Sequence, residues 1–185
     1  FPRQLKSHLC GDVSAEDVGK CVTLRGFLQY QRMGIFCILR DSSGLVQVVV
    51  NTDTLSARLK GTPYESYIQV TGKVVLRPEE QKNETMRSGE VEVVAEDLLV
   101  VNEARRDLPF LIRSQNKPTE SLGLKHRYLD LRQTHLQQNL RFRSKLGKKM
   151  RDLLQDEKGF LEVITPSLSV NTPGGSQEFV VPSRF

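Results

Sequence analysis

The chain has 185 residues, of which 38% are hydrophobic, and a net charge of +5 with an isoelectric point near 9.2. This apolar content suffices for a core of roughly 100 residues and excludes general disorder. No apolar run approaches the roughly 20 residues of a membrane span. The positive charge suits a polyanionic partner, although modest positive charge is also common in soluble proteins. Three cysteines (Cys10, Cys21 and Cys37) without CxxC spacing argue against a disulfide framework and a structural zinc site.

The first part of the chain is rich in strand signals. β-Branched and aromatic residues, separated by turn residues, predict five strands at 22–32, 35–41, 45–51, 66–77 and 90–102. Ser42–Gly44 predicts a tight turn that joins the second and third strands. Gly26 predicts a bulge or bend in the first strand, and Gly72 a bend in the fourth. Residues 53–61 predict a short helix that ends at Gly61.

This order of elements, β-β-β-α-β-β, predicts a small five-stranded Greek-key barrel, the OB-fold, over residues 1–102. Other small barrels also have five strands, so the order alone does not distinguish them. An OB-fold binds oligonucleotides on its second and third strands and through two flanking loops.

The second part of the chain has a different pattern. Residues 103–118 carry few periodic signals and predict a hinge between domains. Thr119 predicts the N-cap of a short helix from Glu120. The next prediction is a long helix at 134–158, with an apolar stripe at helical spacing and a basic face. After it, residues 160–165 (FLEVIT) predict a strand before Pro166.

Three residues of the predicted barrel have the chemistry to bind a base. Phe36 and Gln47 alternate onto the exposed face of the second and third strands, and Arg32 lies at its rim. A base stacks on a phenyl ring, while Arg and Gln supply directional hydrogen bonds. The alternative is that Phe36 belongs to the core and Gln47 is a solvent-facing strand residue.

The loop after the fourth strand carries Arg77, Gln81, Lys82 and Asn83, which could read base edges or form a solvated hairpin tip. Near the C-terminal end, Thr172–Ser176 (TPGGS) has the composition of a mobile loop, because adjacent glycines allow backbone shapes that other residues avoid. A plain turn is the alternative. The sequence shows no nucleophile triad, metal cluster or P-loop spacing.

Taken together, these segments resemble the aspartyl-tRNA synthetase family of bacterial and mitochondrial type. The resemblance covers essentially the whole chain, and its elements stand in that family's order. They are VTLRGFLQ–QR, LRDSSGLVQVVV, IQVTGKV, SGEVEV, LPF, KHRYLDLR, GFLEVITPSL and TPGGSQEFVVPSR. The resemblance implies an OB-fold anticodon-binding domain, a hinge, and from residue 119 the start of an α+β class II catalytic domain.

The resemblance also implies roles for the candidate residues. Phe36 matches the aromatic that stacks on the middle anticodon base, and Arg32 and Gln47 match anticodon-reading positions beside it. The neighbouring bases would be read by a loop whose matching residues are Arg77, Gln81 and Asn83. Gln81 stands where bacterial members often have Asn.

The C-terminal part matches two further family features. The long helix through Pro166 resembles class II motif 1, which builds a homodimer interface, so the apolar stripe becomes interface and core. The loop that closes over the amino acid is matched by Thr172, Pro173, Gly174, Gly175, Ser176 and Gln177. Bacterial members commonly carry Glu where this chain has Gly174, a departure that fits the mitochondrial subgroup.

The implied reaction has two steps: aspartate and ATP form aspartyl-adenylate, and the aspartyl group then moves to tRNA(Asp). The arginines that hold ATP and the carboxylates that bind Mg²⁺ belong to motifs 2 and 3, which these residues do not include. We therefore expect an N-terminal fragment that neither aminoacylates nor binds ATP and Mg²⁺ tightly.

Other readings stay open. The alternative function is a free-standing OB-fold module for tRNA or single-stranded nucleic acid without catalysis. Within the ligases, asparaginyl and lysyl enzymes share the barrel, but EFVVPSR favours aspartate. The expected location is the mitochondrial matrix, with the bacterial cytoplasm as the alternative, and no membrane partner is expected.

Overall fold

The computed structural model describes residues 6–112, 117–168, 179 and 181–182. The chain divides into two compact units, Phe1–Gln133 and Thr134–Phe185. Among the described residues, the first contains the strands and three short α-helices, and the second contains one long helix and the residues after it. Within the described ranges, none of the helices combines the length and the apolar character needed to cross a bilayer.

The first unit is built on a closed five-stranded barrel. Its strands are β1 (Cys21–Arg32), β2 (Phe36–Arg40), β3 (Leu45–Val49), β4 (Tyr67–Leu76) and β5 (Val91–Asn102). The order around the barrel is β1-β2-β3-β5-β4, with β3 and β5 parallel and every other neighbouring pair antiparallel. Helix α1 (Asp53–Gly61) lies between β3 and β4 in sequence. The predicted strands, helix and barrel are therefore confirmed.

Alternation along the strands fills the barrel interior. Successive side chains of a strand point to opposite faces, so alternate residues are buried in β1 as far as Leu28, in β2, and in β3 as far as Val48. Leu55 and Leu59 of α1 join the same cluster. Burying these side chains removes apolar surface from water at roughly 25 cal/mol per Å², which is the main force closing the barrel. The fully buried members on β1–β3 are Leu24, Leu28, Cys37, Leu39, Val46 and Val48.

The two predicted bends have different outcomes. At Gly72 the pairing of β4 with β5 shifts register after Thr71, as predicted. The prediction at Gly26 is wrong, because β1 pairs regularly with β4 there and its bulge against β2 falls between Leu28 and Tyr30. Gly26 instead allows a close approach: a Cβ at this position would lie 2.8 Å from the Arg40 carbonyl oxygen.

The predicted tight turn between β2 and β3 is organised by Asp41. The Asp41 N–H donates to the Gly44 carbonyl oxygen at 3.0 Å, and the Asp41 carboxylate accepts from the Ser43 N–H at 2.8 Å. The same carboxylate accepts from the Cys10 N–H at 2.9 Å. This aspartate therefore holds the N-terminal segment against the barrel as well as closing the hairpin.

Two short helices follow the predicted hinge and belong to the first unit. Helix α2 (Glu120–Lys125) begins as predicted, because the Thr119 hydroxyl accepts from the Leu122 N–H at 3.4 Å. Helix α3 (Arg127–Asp130) follows, with Leu129 buried. The predicted catalytic-domain start at residue 119 lies before these helices, whereas the boundary between the compact units lies after them.

The second unit begins with α4 (Thr134–Arg151), which continues as a π-helical turn over Asp152–Glu157. The predicted long helix is thus confirmed, and Gly159 follows it with a φ of +70°. The predicted strand at 160–165 is wrong, since these residues form no strand. A strand needs a hydrogen-bonded neighbour, and the described part of this unit offers none.

The apolar stripe of α4 is not covered within the second unit. None of the described residues of α4 is buried. Exposed apolar side chains continue along the π-helical turn and into the segment after it. They include Leu140, Phe142, Leu146, Met150, Leu153, Leu154, Phe160 and Ile164.

Candidate nucleic-acid interface

The outer face of β1–β3 brings together three predicted site residues. In the antiparallel registers, Arg32 lies opposite Phe36, and Gln47 lies opposite Ile38, two residues along β2 from Phe36. Cross-strand partners point to the same side of a sheet, so these side chains share the face opposite the core. Arg32 is exposed, whereas Phe36 and Gln47 are half-buried. Phe36 therefore lies outside the core cluster, with part of its ring accessible.

A tight connection between β1 and β2 sets Arg32 at the rim of this face. Met33 and Gly34 have φ values of +57° and +71°, and the Ile35 N–H donates back to the Arg32 carbonyl oxygen at 3.1 Å. The positive φ favours glycine at position 34, and a Cβ there would also meet the Lys60 side chain of α1, which would have to move. The short turn therefore packs against α1 and leaves the Arg32 side chain in solvent.

Gln47 is held by a neighbour that the sequence did not single out. Gln47 Nε2 donates to Glu92 Oε2 of β5 at 2.8 Å. A carboxylate only accepts, so the nitrogen end of the amide must face Glu92. Gln47 Oε1 then remains as the acceptor that this side chain can offer a ligand. The signal for Glu92 was present in the sequence, since it alternates with the buried residues Val91 and Val93.

Arg77 differs from its predicted setting on an open loop. It is buried at the end of β4, where its Nε donates to the Val91 carbonyl oxygen at 2.9 Å. Burial lowers the pKa of the guanidinium, and the charge of the Glu92 carboxylate opposes that shift. Arg77 thus places a buried cation near Glu92, the residue that accepts from Gln47.

The remaining loop residues lie in different environments. Gln81 is exposed in a 3₁₀ turn, Glu79–Gln81, and Lys82 pairs with Glu79 at 2.6 Å. Asn83 is half-buried. The Ser88 hydroxyl, farther along the loop, donates to the Leu45 carbonyl oxygen at the start of β3. The loop is therefore tied to the strand that carries Gln47.

Tyr30 also lies on this face, although it was not among the residues predicted from the sequence. It lies opposite Ile38 in the β1–β2 register, and 41% of it is exposed. The bulge just before it explains why simple alternation along β1 does not identify it. The face therefore presents two accessible aromatic rings, Tyr30 and Phe36, beside a cation and an amide.

Two predicted features cannot be placed on this face. Residues 172–177, predicted as the amino-acid loop, lie outside the described residues, and Pro166 is exposed in the second unit. Among the described residues, no group of three or more His, Cys, Asp and Glu could hold a metal ion. The described part of the chain therefore does not provide a ligand set that fits the Mg²⁺ implied by the resemblance.

Comparison with known families agrees with this architecture. Residues 18–101 match the OB-fold nucleic acid binding domain family, and residues 119–185 match the class II tRNA synthetases (D, K and N). A closed barrel followed by class II sequence is the arrangement of an OB-fold anticodon-binding domain and the start of a class II tRNA synthetase domain. The alternative of a free-standing nucleic-acid module is not favoured.

Similarity to individual proteins shows which class II synthetases the chain resembles. The chain is 44% identical over 183 residues to a mitochondrial aspartate–tRNA ligase of Bos taurus, and 40% identical over 188 residues to an aspartate–tRNA(Asp/Asn) ligase of a Cyanothece strain. Each match covers 97% of this chain, but only 28% and 32% of the relatives' length. The chain belongs to the aspartate–tRNA ligase family.

Solved structures give the same fold. An aspartyl-tRNA synthetase from Entamoeba histolytica aligns with a TM-score of 0.72 at 24% identity, over 84% of this chain and 38% of that one. An asparaginyl-tRNA synthetase from Pyrococcus horikoshii aligns with a TM-score of 0.71 at 28% identity, over 86% of this chain and 37% of that one.

Proposed function

We propose that this chain supplies the anticodon-binding domain and the beginning of the catalytic domain of an aspartate–tRNA ligase. The ligase attaches aspartate to tRNA(Asp) in protein biosynthesis, using ATP to form aspartyl-adenylate. The observation that carries the proposal is the position of Phe36, half-buried on the outer barrel face opposite the exposed Arg32. The chain spans less than a third of the length of these relatives, so the substrate is part of the proposal and rests on the chain's similarity to them.

Binding on this face follows from its chemistry. One anticodon base stacks on the accessible part of the Phe36 ring, which contributes about 1–3 kcal/mol. Gln47 Oε1 accepts a hydrogen bond from a base N–H, because Glu92 occupies the nitrogen end of its amide. Arg32 at the rim supplies a cation for the nucleic-acid backbone or a base edge. Gln81 and Asn83 extend the same site through the loop after β4.

The proposal includes the organisation of the chain and its assembly. Residues 1–102 form the anticodon-binding domain, 103–118 the hinge, and 119–185 the start of the catalytic domain, where residues 172–177 close over the amino acid. A second copy covers the exposed apolar stripe of α4, with Pro166 in the same interface. The parent ligase works in the mitochondrial matrix, or in the bacterial cytoplasm if the protein is bacterial. Sedimentation of the chain with and without Leu146→Glu and Met150→Glu tests the dimer.

The anticodon proposal is tested by titrating the chain with native tRNA(Asp) and with a transcript whose anticodon is swapped. Both titrations use one fixed salt concentration, because charge alone gives salt-dependent binding to any nucleic acid. We expect tighter binding to the native transcript. Equal affinities for the two transcripts would contradict the proposal.

A substitution then locates the site. Phe36→Ala should weaken binding to native tRNA(Asp) by about 1–3 kcal/mol if a base stacks on the ring. Phe160→Ala is the control, because it makes the same truncation at an exposed ring in the second unit, outside the barrel. Circular dichroism of both variants separates lost stacking from an unfolded barrel.

A further inference from the structure

The side-chain amide of Asn83 has only one end left for a ligand. Asn83 Oδ1 accepts two hydrogen bonds from Thr85, one from its backbone N–H at 3.0 Å and one from its hydroxyl at 2.6 Å. A carbonyl oxygen has two lone pairs, so both are used. Turning the amide over would lose both hydrogen bonds to Oδ1, because Nδ2 would then direct its own hydrogens at the Thr85 N–H.

The backbone around Asn83 is equally fixed. The Asn83 N–H donates to the Gly89 carbonyl oxygen at 3.2 Å, and the Met86 N–H donates to the Asn83 carbonyl oxygen at 3.1 Å. Gly89 is needed for this closure, since a Cβ there would overlap the Asn83 carbonyl oxygen. The turn therefore holds Asn83 in place before any ligand arrives.

We propose that Thr85 is a positioning residue that fixes the polarity of the Asn83 amide. With Oδ1 engaged, Asn83 presents only the two N–H groups of Nδ2, and within the described residues Nδ2 makes no hydrogen bond. The loop therefore recognises a hydrogen-bond acceptor on an anticodon base, a carbonyl oxygen or an unprotonated ring nitrogen. This inference rests on the proposed function, because it requires a base at this face.

Gln47 has the opposite polarity, which makes the inference specific. There the nitrogen end is engaged by Glu92, and the oxygen end remains for a ligand. The site thus offers one amide acceptor and one amide donor at separate positions. Bases differ in the order of donors and acceptors along their edges, so two fixed amides of opposite polarity select among bases more sharply than two freely rotating ones.

The test uses four transcripts and three variants of the chain. The transcripts are native tRNA(Asp) and three versions in which each anticodon base is replaced in turn, all at one salt concentration. Thr85→Val removes the hydroxyl but keeps the shape, and Thr85→Ser keeps the hydroxyl. Asn83→Asp retains an oxygen for Thr85 but exchanges the Nδ2 donors for a second acceptor.

We expect Thr85→Val to bind native tRNA(Asp) about two- to tenfold more weakly, as for one lost hydrogen bond. The affinity penalty for replacing one particular base should shrink, because only the Thr85 N–H then holds Asn83 Oδ1 and the amide is less firmly oriented. The penalties at the other two positions should remain. Thr85→Ser should show the same three affinity penalties as the wild type. Asn83→Asp should lose the affinity penalty at the same single base position as Thr85→Val. A purely structural role would not change selectivity at one position only.

The outcomes separate the inference from the proposed function. If the wild type binds all four transcripts equally, the proposed function itself fails. If the wild type is selective and Thr85→Val keeps all three penalties, the inference is overturned while the function stands. If Thr85→Val disrupts the loop, the Asn83→Asp variant tests the inference instead, because it keeps an acceptor for Thr85. If Asn83→Asp then shows the same three affinity penalties as the wild type, the inference is overturned.

Discussion

The guanidinium carbon of Arg132 lies 4.3 Å from the centroid of the Phe27 ring. Phe27 belongs to β1, whereas Arg132 follows α3. Arg132 also approaches Glu65, with Nη1 3.7 Å from Oε2, and the same carboxylate oxygen accepts from Arg40 Nη2 at 2.6 Å. Glu65 is buried. These contacts hold the segment that follows α3 against the barrel.

Arg132→Ala should lower the free energy of unfolding of the first unit by about 1 kcal/mol, because it removes a cation–π contact at a partly exposed site. Arg132→Lys should lose less, since it keeps the charge but not the planar stacking group. Tyrosine fluorescence during urea unfolding reports this unit alone, because the chain has no Trp and its four Tyr all precede Thr134. Arg105→Ala is the control: its pair with Asp107 is exposed, and such pairs contribute little. If Arg105→Ala lowered the free energy of unfolding as much as Arg132→Ala, a specific contribution of the contact between Arg132 and Phe27 would be contradicted.

Much of the barrel could be predicted from the sequence because alternation and turn residues are local signals. The hairpin at Asp41 and the N-cap at Thr119 are of this kind. The predictions at Gly26 and at residues 160–165 failed because each depends on a distant partner. A glycine is found at position 26 because the Arg40 carbonyl comes too close for a side chain. Residues 160–165 are rich in strand-forming residues, but such a segment becomes a strand only when a neighbouring strand pairs with it.

The candidate site divides in the same way. Strand register follows from alternation, so Phe36 and Gln47 could be placed on one face in advance. The burial of Arg77 could not, because it depends on pairing β4 with β5, which brings the Val91 carbonyl to its guanidinium. Likewise the orientation of the Gln47 amide depends on Glu92, a residue of another strand.

The contact between Gln47 and Glu92 predicts a charge effect. Gln47→Glu would place two carboxylates about as close as the present 2.8 Å pair, so it should lower both the free energy of unfolding and the affinity for tRNA(Asp). Gln69→Glu is a matched control on the same barrel, because Gln69 Oε1 accepts from Arg25 Nε at 2.8 Å. There the added charge faces a cation and should be tolerated. Urea unfolding and tRNA titration of both variants check this charge effect. Equal losses of stability and affinity in Gln47→Glu and Gln69→Glu would contradict it.

The three thiols should differ sharply in reactivity. Cys21 is exposed, whereas Cys10 and Cys37 are buried. Burial raises the pKa of the Cys37 thiol to about 12, and burial with the nearby Asp41 carboxylate raises the pKa of Cys10. Since the thiolate is the reactive form, Ellman's reagent should modify one thiol rapidly in the folded chain and all three in denaturant. Rapid modification of a second thiol would contradict the burial of both.

Alkaline pH should weaken the barrel through Cys37. The pKa of this thiol is raised in the folded chain, so its contribution is complete below the unfolded pKa, about 8.5. As pH rises from there towards about 12, the unfolded chain ionises first and the free energy of unfolding falls. Cys37→Val should show a shallower decline than the wild type in urea unfolding between these pH values. Parallel curves for the two proteins would show that the thiol does not contribute.

Acidic pH should expose the role of Asp41. Burial raises the pKa of its carboxyl, but hydrogen bonds from the Ser43 hydroxyl and from the backbone N–H groups of Cys10 and Ser43 outweigh this, so the pKa lies below its ordinary value. The stabilisation is therefore present above the unfolded pKa, about 3.9, and is lost as pH falls through the folded value. Asp41→Asn should cost about 2 kcal/mol at pH 7 and little once the wild-type carboxyl is protonated. Asp107→Asn, at an exposed pair, should change the free energy of unfolding too little to measure at either pH. An equal loss for Asp41→Asn at neutral and acidic pH would mean that shape, not charge, holds this turn.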